Sequence, residues 1–379
     1  MPFGIFRRML NGPADAIDTS LVHRVLVTKL RHHGDVLLAS PVFTVLRRAL
    51  PDAELDALVY RETACMLEDH PAIARVHTID REWKRSGPRT QAAGETRLLR
   101  ALAARRFDLV VHLTEHPRGA WLARLLHPRY AVAREIAGAH WLWRSSFTHY
   151  YRQPRARPRH TVECNLDALR RLGVQPSTAE RALVLVTGER ANVRAAALMQ
   201  AHGLESARFI ALHPASRWLF KSWTPERYAG LIEALARDGW RVVVTAAPDP
   251  NERELVAAIL GGLSSDARAM VADFSGSLEL RELAALIREA RAFIGVDSAP
   301  MHIAAAMRTP VVALFGPSGE VEWRPWGVPH RIVASDRHPC RPCGIDGCGG
   351  GKLSECLTTL EPVRVLYALR EVLAETAAR

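Results

Sequence analysis

A polar loop near the start of the chain carries residues that could bind and deprotonate a substrate. Residues 29–35 (KLRHHGD) combine a lysine, two histidines, a glycine suited to a tight turn and an aspartate, and they overlap the end of an apolar run typical of a strand. Asp35 stands where a helical pattern begins, so its carboxylate fits either a helix cap or a general base that takes a proton from a hydroxyl. Lys29 fits either a substrate-binding cation or an ordinary charge at a strand end. The loop is a candidate catalytic site, and both interpretations of Asp35 remain open.

Two further loops, both in the second half of the chain, carry groups that bind phosphate. HPASRWLFK contains Ser216 and ends at Lys221, and their hydroxyl and ammonium donors suit a phosphate group. VDSAPMH contains Asp297 and Ser298 immediately before a predicted helix, whose free N–H groups favour an anion. Each loop taken alone also fits a polar surface loop or a helix cap. Because both follow predicted strands, together they predict a nucleotide-diphosphate site.

Strand-like and helix-like segments alternate along the chain, and each candidate loop follows a strand. Such alternation predicts an α/β fold, with parallel sheets covered by helices on both faces and ligands at the carboxyl ends of the strands. A Pro- and Arg-rich segment at 150–160 predicts irregular structure, and 174–180 is the candidate hinge between two domains. The predicted strands are 24–30, 54–59, 75–79, 107–113, 209–213, 240–245, 293–296 and 311–315, and the predicted helices include 162–172, 225–239, 278–290 and 362–376.

Length and composition are typical of a globular protein of two domains. The 379 residues exceed one ordinary core, and 48% of them are hydrophobic and 24% charged. The net charge of +11 favours an anionic partner, but the basic residues are spread along the chain, so no nucleic-acid partner is predicted. No apolar run reaches the ~18 residues of a membrane span, and the N-terminal residues around Arg7 and Arg8 lack the apolar core of a secretory signal. We therefore expect a cytoplasmic protein.

Motifs of other nucleotide-dependent enzymes are missing from the sequence. Neither half contains a GxGxxG or GxxxxGK[ST] stretch, which disfavours a dinucleotide dehydrogenase or a P-loop enzyme. Four cysteines do cluster near the end, in HPCRPCGIDGCGGGKLSEC: Cys340, Cys343, Cys348 and Cys356. Four thiolates could bind structural zinc, but only one CxxC pair is present, so reduced thiols in an ordered loop are the favoured interpretation. We expect the protein to use neither a metal ion nor a cofactor.

The same loops carry a resemblance to a known enzyme family. KLRHHGDVLLASPVFTVLRRALPDAELDALVY is similar to the opening of glycosyltransferase family 9, the ADP-heptose:lipopolysaccharide heptosyltransferases. HPASRWLFKSW and FIGVDSAPMHIAAAMRTPVVALFGPS are similar to that family's nucleotide-sugar half. The double histidine before Gly34 and the cysteine-rich tail most resemble the heptosyltransferase III group. The similarity extends from Arg24 to the final helix, with the motifs in order.

The resemblance implies the GT-B fold, in which two Rossmann-like domains face each other across a cleft. Residues 1–178 would bind the acceptor, residues 179–358 would bind the nucleotide sugar, and a C-terminal helix within 359–379 would return to pack on the first domain. By position, Asp35 resembles the catalytic base and Lys221 the cation that holds the departing diphosphate. The predicted substrate-binding residues are Lys29, Ser216, Ser277, Asp297, Ser298, Ala299 and His302, with Asp249 or Glu252 near the adenosine ribose.

The implied reaction is an inverting, metal-independent transfer of heptose from ADP-L-glycero-D-manno-heptose to a heptose of the lipopolysaccharide inner core. The partners would be the ADP-heptose donor, a lipid A–Kdo–heptose acceptor and the inner face of the inner membrane, contacted peripherally. Two alternatives stay open. One is a family 9 glycosyltransferase that modifies another acceptor such as a protein. The other is a non-catalytic nucleotide-binding scaffold, which predicts ADP binding without turnover.

Overall fold

The computed structural model describes residues 15–153 and 157–377, which form two compact units. The first unit reaches to Arg181, except that Pro158–His160 belong to the second unit, which continues from Ala182. The boundary therefore lies close to the predicted one at 178/179 and just beyond the predicted hinge. Arg7 and Arg8, and residues 154–156 of the predicted irregular segment, lie outside the described residues.

Each unit is built from a six-stranded sheet and the helices that connect its strands. The strands are β1 (Arg24–Thr28), β2 (Glu54–Tyr60), β3 (Arg75–Ile79), β4 (Leu109–His112), β5 (Tyr130–Arg134) and β6 (His149–Tyr151) in the first unit, and β7 (Phe209–His213), β8 (Arg241–Val244), β9 (Val271–Asp273), β10 (Ala292–Val296), β11 (Val311–Phe315) and β12 (His330–Ala334) in the second.

The α-helices alternate with these strands in both units. They are α1 (His33–Leu37), α2 (Ser40–Ala49), α3 (Glu82–Arg85), α4 (Pro88–Ala104), α5 (Pro117–Leu126), α6 (Trp141–Ser146) and α7 (Thr161–Arg170), then α8 (Glu189–Ala201), α9 (Pro225–Arg237), α10 (Pro250–Gly261), α11 (Ser265–Ala269), α12 (Leu280–Glu289), α13 (Ala299–Ala306), α14 (Glu320–Trp323), α15 (Glu355–Thr358) and α16 (Pro362–Ala377). Short 3-10 helices lie at Thr19–Leu21, Arg61–Met66, Ala179–Arg181, Leu219–Lys221 and Cys348–Gly350. Over the described ranges, no helix is both long enough and apolar enough to cross a bilayer.

The two sheets share one strand order, and all of their strand pairs are parallel. The orders are β3-β2-β1-β4-β5-β6 and β9-β8-β7-β10-β11-β12. In each sheet the order reverses between two central strands, where Thr28 of β1 pairs with His112 of β4, and His213 of β7 pairs with Gly295 of β10. Open α/β sheets bind ligands outside the carboxyl ends of the strands at this reversal. Each unit therefore has one preferred ligand position.

The strands form because they are continuous apolar runs, the pattern of a sheet covered on both faces. β10 (AFIGV) and β11 (VVALF) are buried along their whole length. α9 begins where Thr224 accepts a hydrogen bond from the N–H of Arg227 and Pro225 takes the first helical position, two strong start signals. Each fully buried aliphatic side chain contributes about 1.5–3 kcal/mol to the free energy of unfolding.

All eight strands predicted from the sequence are present, and four more were missed. The missed strands are β5, β6, β9 and β12. Three of them lie at sheet edges, and two of these, β6 and β9, are only three residues long. Their apolar patterns are too short, or too exposed, to stand out from the surrounding loops. The parallel α/β fold class is confirmed.

The last helix corrects one prediction. α16 buries Val365, Ala368, Leu369 and Val372, a stripe with the i, i+3, i+4, i+7 spacing of one helix face. These side chains belong to the hydrophobic core of the second unit, where α16 packs on α9 and β12. The sequence predicted instead that the helix packs on the first domain. The described part of residues 359–379 is an integral layer of the second unit.

Candidate active site

Asp35 lies just beyond the carboxyl end of β1, in the first turn of α1. The N-cap position of α1 is held by His32, so the capping interpretation of Asp35 is wrong. The Asp35 side chain is half-buried, and its carboxylate accepts no hydrogen bond from any residue that the structure describes. A carboxylate that is partly sheltered and accepts no hydrogen bond from the described residues can accept a proton from a substrate hydroxyl.

Lys29 is a buried cation near Asp35. Its side chain is 7% exposed, and its ammonium donates hydrogen bonds to Oδ1 of Asn165 at 3.0 Å and to the carbonyl of Leu113 at 3.3 Å. Burial lowers the pKa of Lys29, and the negative charge of Asp35 opposes that lowering. Asn165 is itself fixed because its side-chain amide donates to the carbonyl of Leu38 at 3.0 Å. Sequence reasoning missed Asn165, which lies on α7, far along the chain.

Lys221 and Asp297 form an ion pair at the strand-order reversal of the second sheet. Nζ of Lys221 lies 2.7 Å from Oδ2 of Asp297, and the two side chains are 23% and 8% exposed. Lys221 ends the 3-10 helix that follows β7, and Asp297 directly follows β10. The pair unites two of the loops that the sequence predicts to bind a diphosphate.

The start of α13 adds a hydroxyl and a helix end to this pair. Ser298 occupies the N-cap position, but its side chain makes no capping bond, and its Oγ is buried without a hydrogen-bond partner among the described residues. Ala299 is the first residue of the helix, so its N–H has no acceptor inside the helix. His302, one turn further, is 3% exposed and its ring centroid lies 6.3 Å from that of Trp323. A buried hydroxyl without a partner costs about 1–3 kcal/mol, which a bound ligand could recover.

Ser216 and the segment that supports Lys221 complete the loop after β7. Ser216 is 5% exposed, and its Oγ accepts a hydrogen bond from the N–H of Trp218 at 3.1 Å. The hydroxyl of Ser354 donates to the carbonyl of Phe220 at 2.6 Å. A residue from the cysteine-rich segment thus fixes the backbone next to Lys221, a contact that the sequence did not predict.

A buried polar cluster lies at the carboxyl ends of β7 and β8. Nδ1 of His213 is 2.9 Å from Oγ1 of Thr245, and Nε2 of His213 is 3.9 Å from the carboxylate of Glu252. Burial lowers the pKa of His213 to about 4 and raises the pKa of Glu252. Asp249 has a different role, since its Oδ1 accepts hydrogen bonds from two N–H groups as the N-cap of α10. Of the two ribose candidates, only Glu252 keeps a buried carboxylate at this edge.

Ser277 lies in the turn after β9, two strands away from β7. Its hydroxyl and its N–H both donate to the carbonyl of Phe274, at 2.8 and 3.2 Å. Gly276 precedes it with φ +71°, a conformation that favours glycine, and donates to the carbonyl of Ala246 at 2.9 Å. The turn places Ser277 at the outer end of the carboxyl edge of the second sheet.

The four clustered cysteines are reduced thiols. Cys340, Cys343 and Cys348 are exposed, whereas Cys356 is buried, and burial raises the pKa of its thiol. Within residues 15–153 and 157–377, no three His, Cys, Asp or Glu side chains are grouped as metal ligands. Arg341 anchors this segment, donating to the carbonyl of Gly316 at 2.8 Å.

Comparison with known proteins agrees with this architecture. The sequence model of glycosyltransferase family 9 (heptosyltransferase) matches residues 95–352. Lipopolysaccharide heptosyltransferase 3 of Escherichia coli is 33% identical over 298 residues, which cover 78% of this chain and 84% of that protein.

Solved structures share the fold at lower identity. The glycosyltransferase family 9 protein from Veillonella parvula DSM 2008 superposes with a TM-score of 0.80 at 24% identity, covering 96% of this chain and all of that one. E. coli heptosyltransferase WaaC with ADP-2-deoxy-2-fluoro heptose superposes with a TM-score of 0.68 at 21% identity, covering 93% and 99%. Both superpositions extend over the two units.

Proposed function

This chain belongs to glycosyltransferase family 9, and we propose that it transfers heptose from ADP-L-glycero-D-manno-heptose to a heptose of the lipopolysaccharide inner core, as a heptosyltransferase III-like enzyme. The observation that carries the proposal is the Lys221–Asp297 ion pair beside the hydroxyl of Ser298, which has no hydrogen-bond partner in the described part of the chain. The identity to E. coli lipopolysaccharide heptosyltransferase 3 supports the choice of substrate class. E. coli heptosyltransferase WaaC, which shares the fold, has been solved with an ADP-heptose analogue.

On the acceptor side, Asp35 acts as the general base. The acceptor hydroxyl oxygen attacks the anomeric carbon of the donor heptose, and its proton passes to the Asp35 carboxylate. The new glycosidic bond forms on the face opposite the departing diphosphate, so the configuration inverts. Lys29, whose buried ammonium interacts electrostatically with Asp35, would help to bind the acceptor beside this base.

On the donor side, Lys221 and the start of α13 receive the charge of the leaving group. As the bond between the anomeric carbon and the diphosphate oxygen breaks, its electron pair stays on ADP. The ammonium of Lys221, the hydroxyls of Ser216 and Ser298 and the N–H of Ala299 would bind the resulting oxyanion, and His302 would complete this surface. Preorganised donors of this kind often make the largest contribution to catalysis. Of these groups, the ammonium of Lys221 would supply positive charge, as a metal ion does in other transferases, and the others would donate hydrogen bonds.

The nucleoside would lie along the carboxyl edge of the second sheet. Glu252 would accept hydrogen bonds from the ribose hydroxyls, next to His213 and Thr245. The backbone near Ser277 would contact the adenine, since this turn lies at the outer end of the same edge.

The acceptor is a membrane lipid in this proposal. A lipid A–Kdo–heptose molecule carries phosphates and carboxylates, which suits a chain with a net charge of +11. The enzyme would work on the cytoplasmic side of the inner membrane, in peripheral contact with it.

The test is acceptor-dependent ADP release from ADP-heptose, with deacylated inner-core oligosaccharide as acceptor. We expect one heptose to be added per ADP released, and the anomeric configuration of the new bond, read by NMR, to be inverted. Transfer to a protein acceptor, with none to the oligosaccharide, would favour the alternative family 9 activity. Tight ADP binding without turnover on any acceptor would favour the scaffold.

A further inference from the structure

The outer faces of α5 and α6 in the first unit carry large exposed apolar side chains. Trp121 and Leu125 on α5 are each 54% exposed, and Trp141 at the start of α6 is 58% exposed. Trp121 and Leu125 are four residues apart and lie on one helix face. Large apolar side chains clustered on the outside of a folded domain mark an interaction site. We call Trp121, Leu125 and Trp141 the tryptophan surface.

The tryptophan surface stands on a rigid base. The opposite faces of the two helices bury Ala120, Ala123 and Trp143 in one core cluster with Phe147, which directly follows α6, and the helices pack against each other. The indole N–H of Trp143 donates to the carbonyl of Arg134 at 3.1 Å. Because the inner faces are filled, the exposed tryptophans cannot turn into the core. They remain available to a partner.

A fixed cation accompanies the exposed indole of Trp141. The guanidinium of Arg124 lies 5.5 Å from the ring centroid of Trp141. It is held there by hydrogen bonds to the hydroxyls of Ser145 at 2.6 Å and Ser146 at 2.8 Å. An aromatic ring with an adjacent cation suits the boundary between lipid headgroups and acyl chains.

The surroundings of the tryptophan surface are strongly basic. Residues 117–146 contain five arginines and a single acidic residue, Glu135; Arg118 and Arg134 form ion pairs with Glu95 and Glu115, so the excess charge comes from the other three. Arg129 and Arg144 are exposed, and Arg144 lies three residues after Trp141, on the same side of α6. Such an excess of positive charge fits a partner surface of high negative charge density.

We propose that the tryptophan surface and its arginines dock the protein on a bilayer of anionic phospholipid. Tryptophan and leucine side chains enter the headgroup boundary, while the arginines bind lipid phosphates. Only the purpose of this docking rests on the proposed function, because an acceptor anchored by lipid A is presented at a membrane. The docking itself follows from side-chain exposure and charge complementarity.

The test is co-sedimentation with unilamellar vesicles of equal parts phosphatidylethanolamine and phosphatidylglycerol. We expect the wild type to bind these vesicles, to bind pure phosphatidylcholine vesicles much less, and to dissociate as salt rises. Trp121→Ser/Trp141→Ser should weaken binding by about tenfold. Arg129→Glu and Arg144→Glu should each weaken it by at least about fivefold.

Control variants place the same changes elsewhere. Tyr367→Ser on α16, where the side chain is 66% exposed, and Arg194→Glu on the exposed face of α8 should bind vesicles like the wild type. Vesicle binding that is equal in the wild type and the tryptophan variant would overturn the proposal. So would a change from dimer to monomer in that variant, measured by light scattering, because the surface would then join two copies of the chain.

Activity separates this inference from the proposed function. The tryptophan variant should retain wild-type kcat/KM on deacylated, soluble acceptor and lose activity only on acceptor embedded in vesicles. Retained soluble activity also shows that the variant is folded. If the wild type binds anionic vesicles but transfers no heptose to any acceptor, the proposed function fails and the docking surface stands. An equal loss of activity on both acceptors would contradict the docking role.

Discussion

Nζ of Lys221 lies 2.7 Å from Oδ2 of Asp297, although the two residues are 76 positions apart in the chain. Asp297 is nearly buried and orients the ammonium at the strand-order reversal of the second sheet. An incoming diphosphate would become the second anionic partner of the same cation. In the proposed reaction, the pair would hold Lys221 in place before the donor binds, so that little reorganisation would be needed.

Replacing Lys221 should remove stabilisation of the leaving diphosphate. We expect Lys221→Met to lower kcat by roughly 10²–10³-fold in the ADP-release assay, because one preorganised donor to a developing oxyanion is typically worth that much. Lys84→Met, a matched change at an exposed lysine of α3, should leave kcat unchanged.

The substitution Asp297→Asn should reduce kcat when it is made in the wild-type protein. It should have little further effect in the Lys221→Met variant, since Asp297 acts through the Lys221 ammonium. Additive losses would contradict that coupling.

Replacing Asp35 should remove the general base. Asp35→Asn keeps the size of the side chain, and we expect it to lower kcat by roughly 10²–10⁴-fold while the Kd for ADP stays within twofold of the wild type. Asp35→Glu keeps the carboxylate and should recover part of the activity. ADP release and ADP binding by calorimetry are the two measurements. Full activity in Asp35→Asn would assign Asp35 to a structural role.

Substitutions of Glu252 and Asp249 should have different effects, because we expect Glu252 to bind the ribose and Asp249 to cap α10. Glu252→Gln is expected to weaken ADP binding by about tenfold, because it replaces a carboxylate acceptor for the ribose hydroxyls with an amide. Asp249→Ala should leave the Kd for ADP nearly unchanged but lower the free energy of unfolding by about 0.5–2 kcal/mol, since it removes the N-cap of α10. Calorimetry and urea unfolding test the two variants. If Asp249→Ala weakened ADP binding and Glu252→Gln lowered only the free energy of unfolding, Asp249 would be the ribose ligand and Glu252 the structural residue.

Position 119 on α5 has room only for glycine, because the ring of His112 packs directly against it. A Cβ at position 119 would overlap the His112 imidazole, which is buried at the end of β4. We expect Gly119→Ala to lower the free energy of unfolding by about 1–3 kcal/mol in urea titration. Gly230→Ala is the matched control in α9, where the new Cβ would meet only Pro362 at 3.6 Å. That variant should be neutral or up to about 1 kcal/mol more stable, because alanine favours helix.

Buried histidines should make the protein less stable in mild acid. Burial lowers the pKa of His112 to about 3, from an ordinary value of 6.5. Between these two values the unfolded chain binds a proton that the folded chain does not. The free energy of unfolding therefore falls as the pH drops below 6.5, by about 1.4 kcal/mol per pH unit for this residue.

Urea unfolding between pH 7 and pH 5 measures that slope. His112→Gln should flatten it by the contribution of one histidine, while His70 and His213, whose pKa values burial lowers to about 4, retain theirs. Equal slopes in the wild type and in His112→Gln would show that the pKa of His112 is the same in the folded and unfolded states.

The sequence by itself determined the class of fold and the position of the candidate loops. Continuous apolar runs such as VVALF and AFIGV, alternating with helical segments, are typical of strands in a covered parallel sheet, and a polar loop after such a strand lies at the carboxyl edge. The motifs around Asp35, Lys221 and Asp297 carried the family resemblance, which the match to the family confirmed. These properties depend on residues that are close together in the sequence, so the sequence alone can predict them.

The tertiary structure decided which of these residues meet. Strand order places β7 beside β10 and so pairs Lys221 with Asp297, while α7 brings Asn165 to Lys29 from 136 positions away. Asp249 and Glu252 both lie at the start of α10, and only the structure shows that Asp249 is its N-cap whereas Glu252 is buried. The apolar stripe of α16 predicts that one face of this helix is buried, but it does not predict which surface covers that face. Periodicity records the angle between neighbouring side chains, whereas sheet order and helix docking depend on distant segments that pack only when the whole chain is folded.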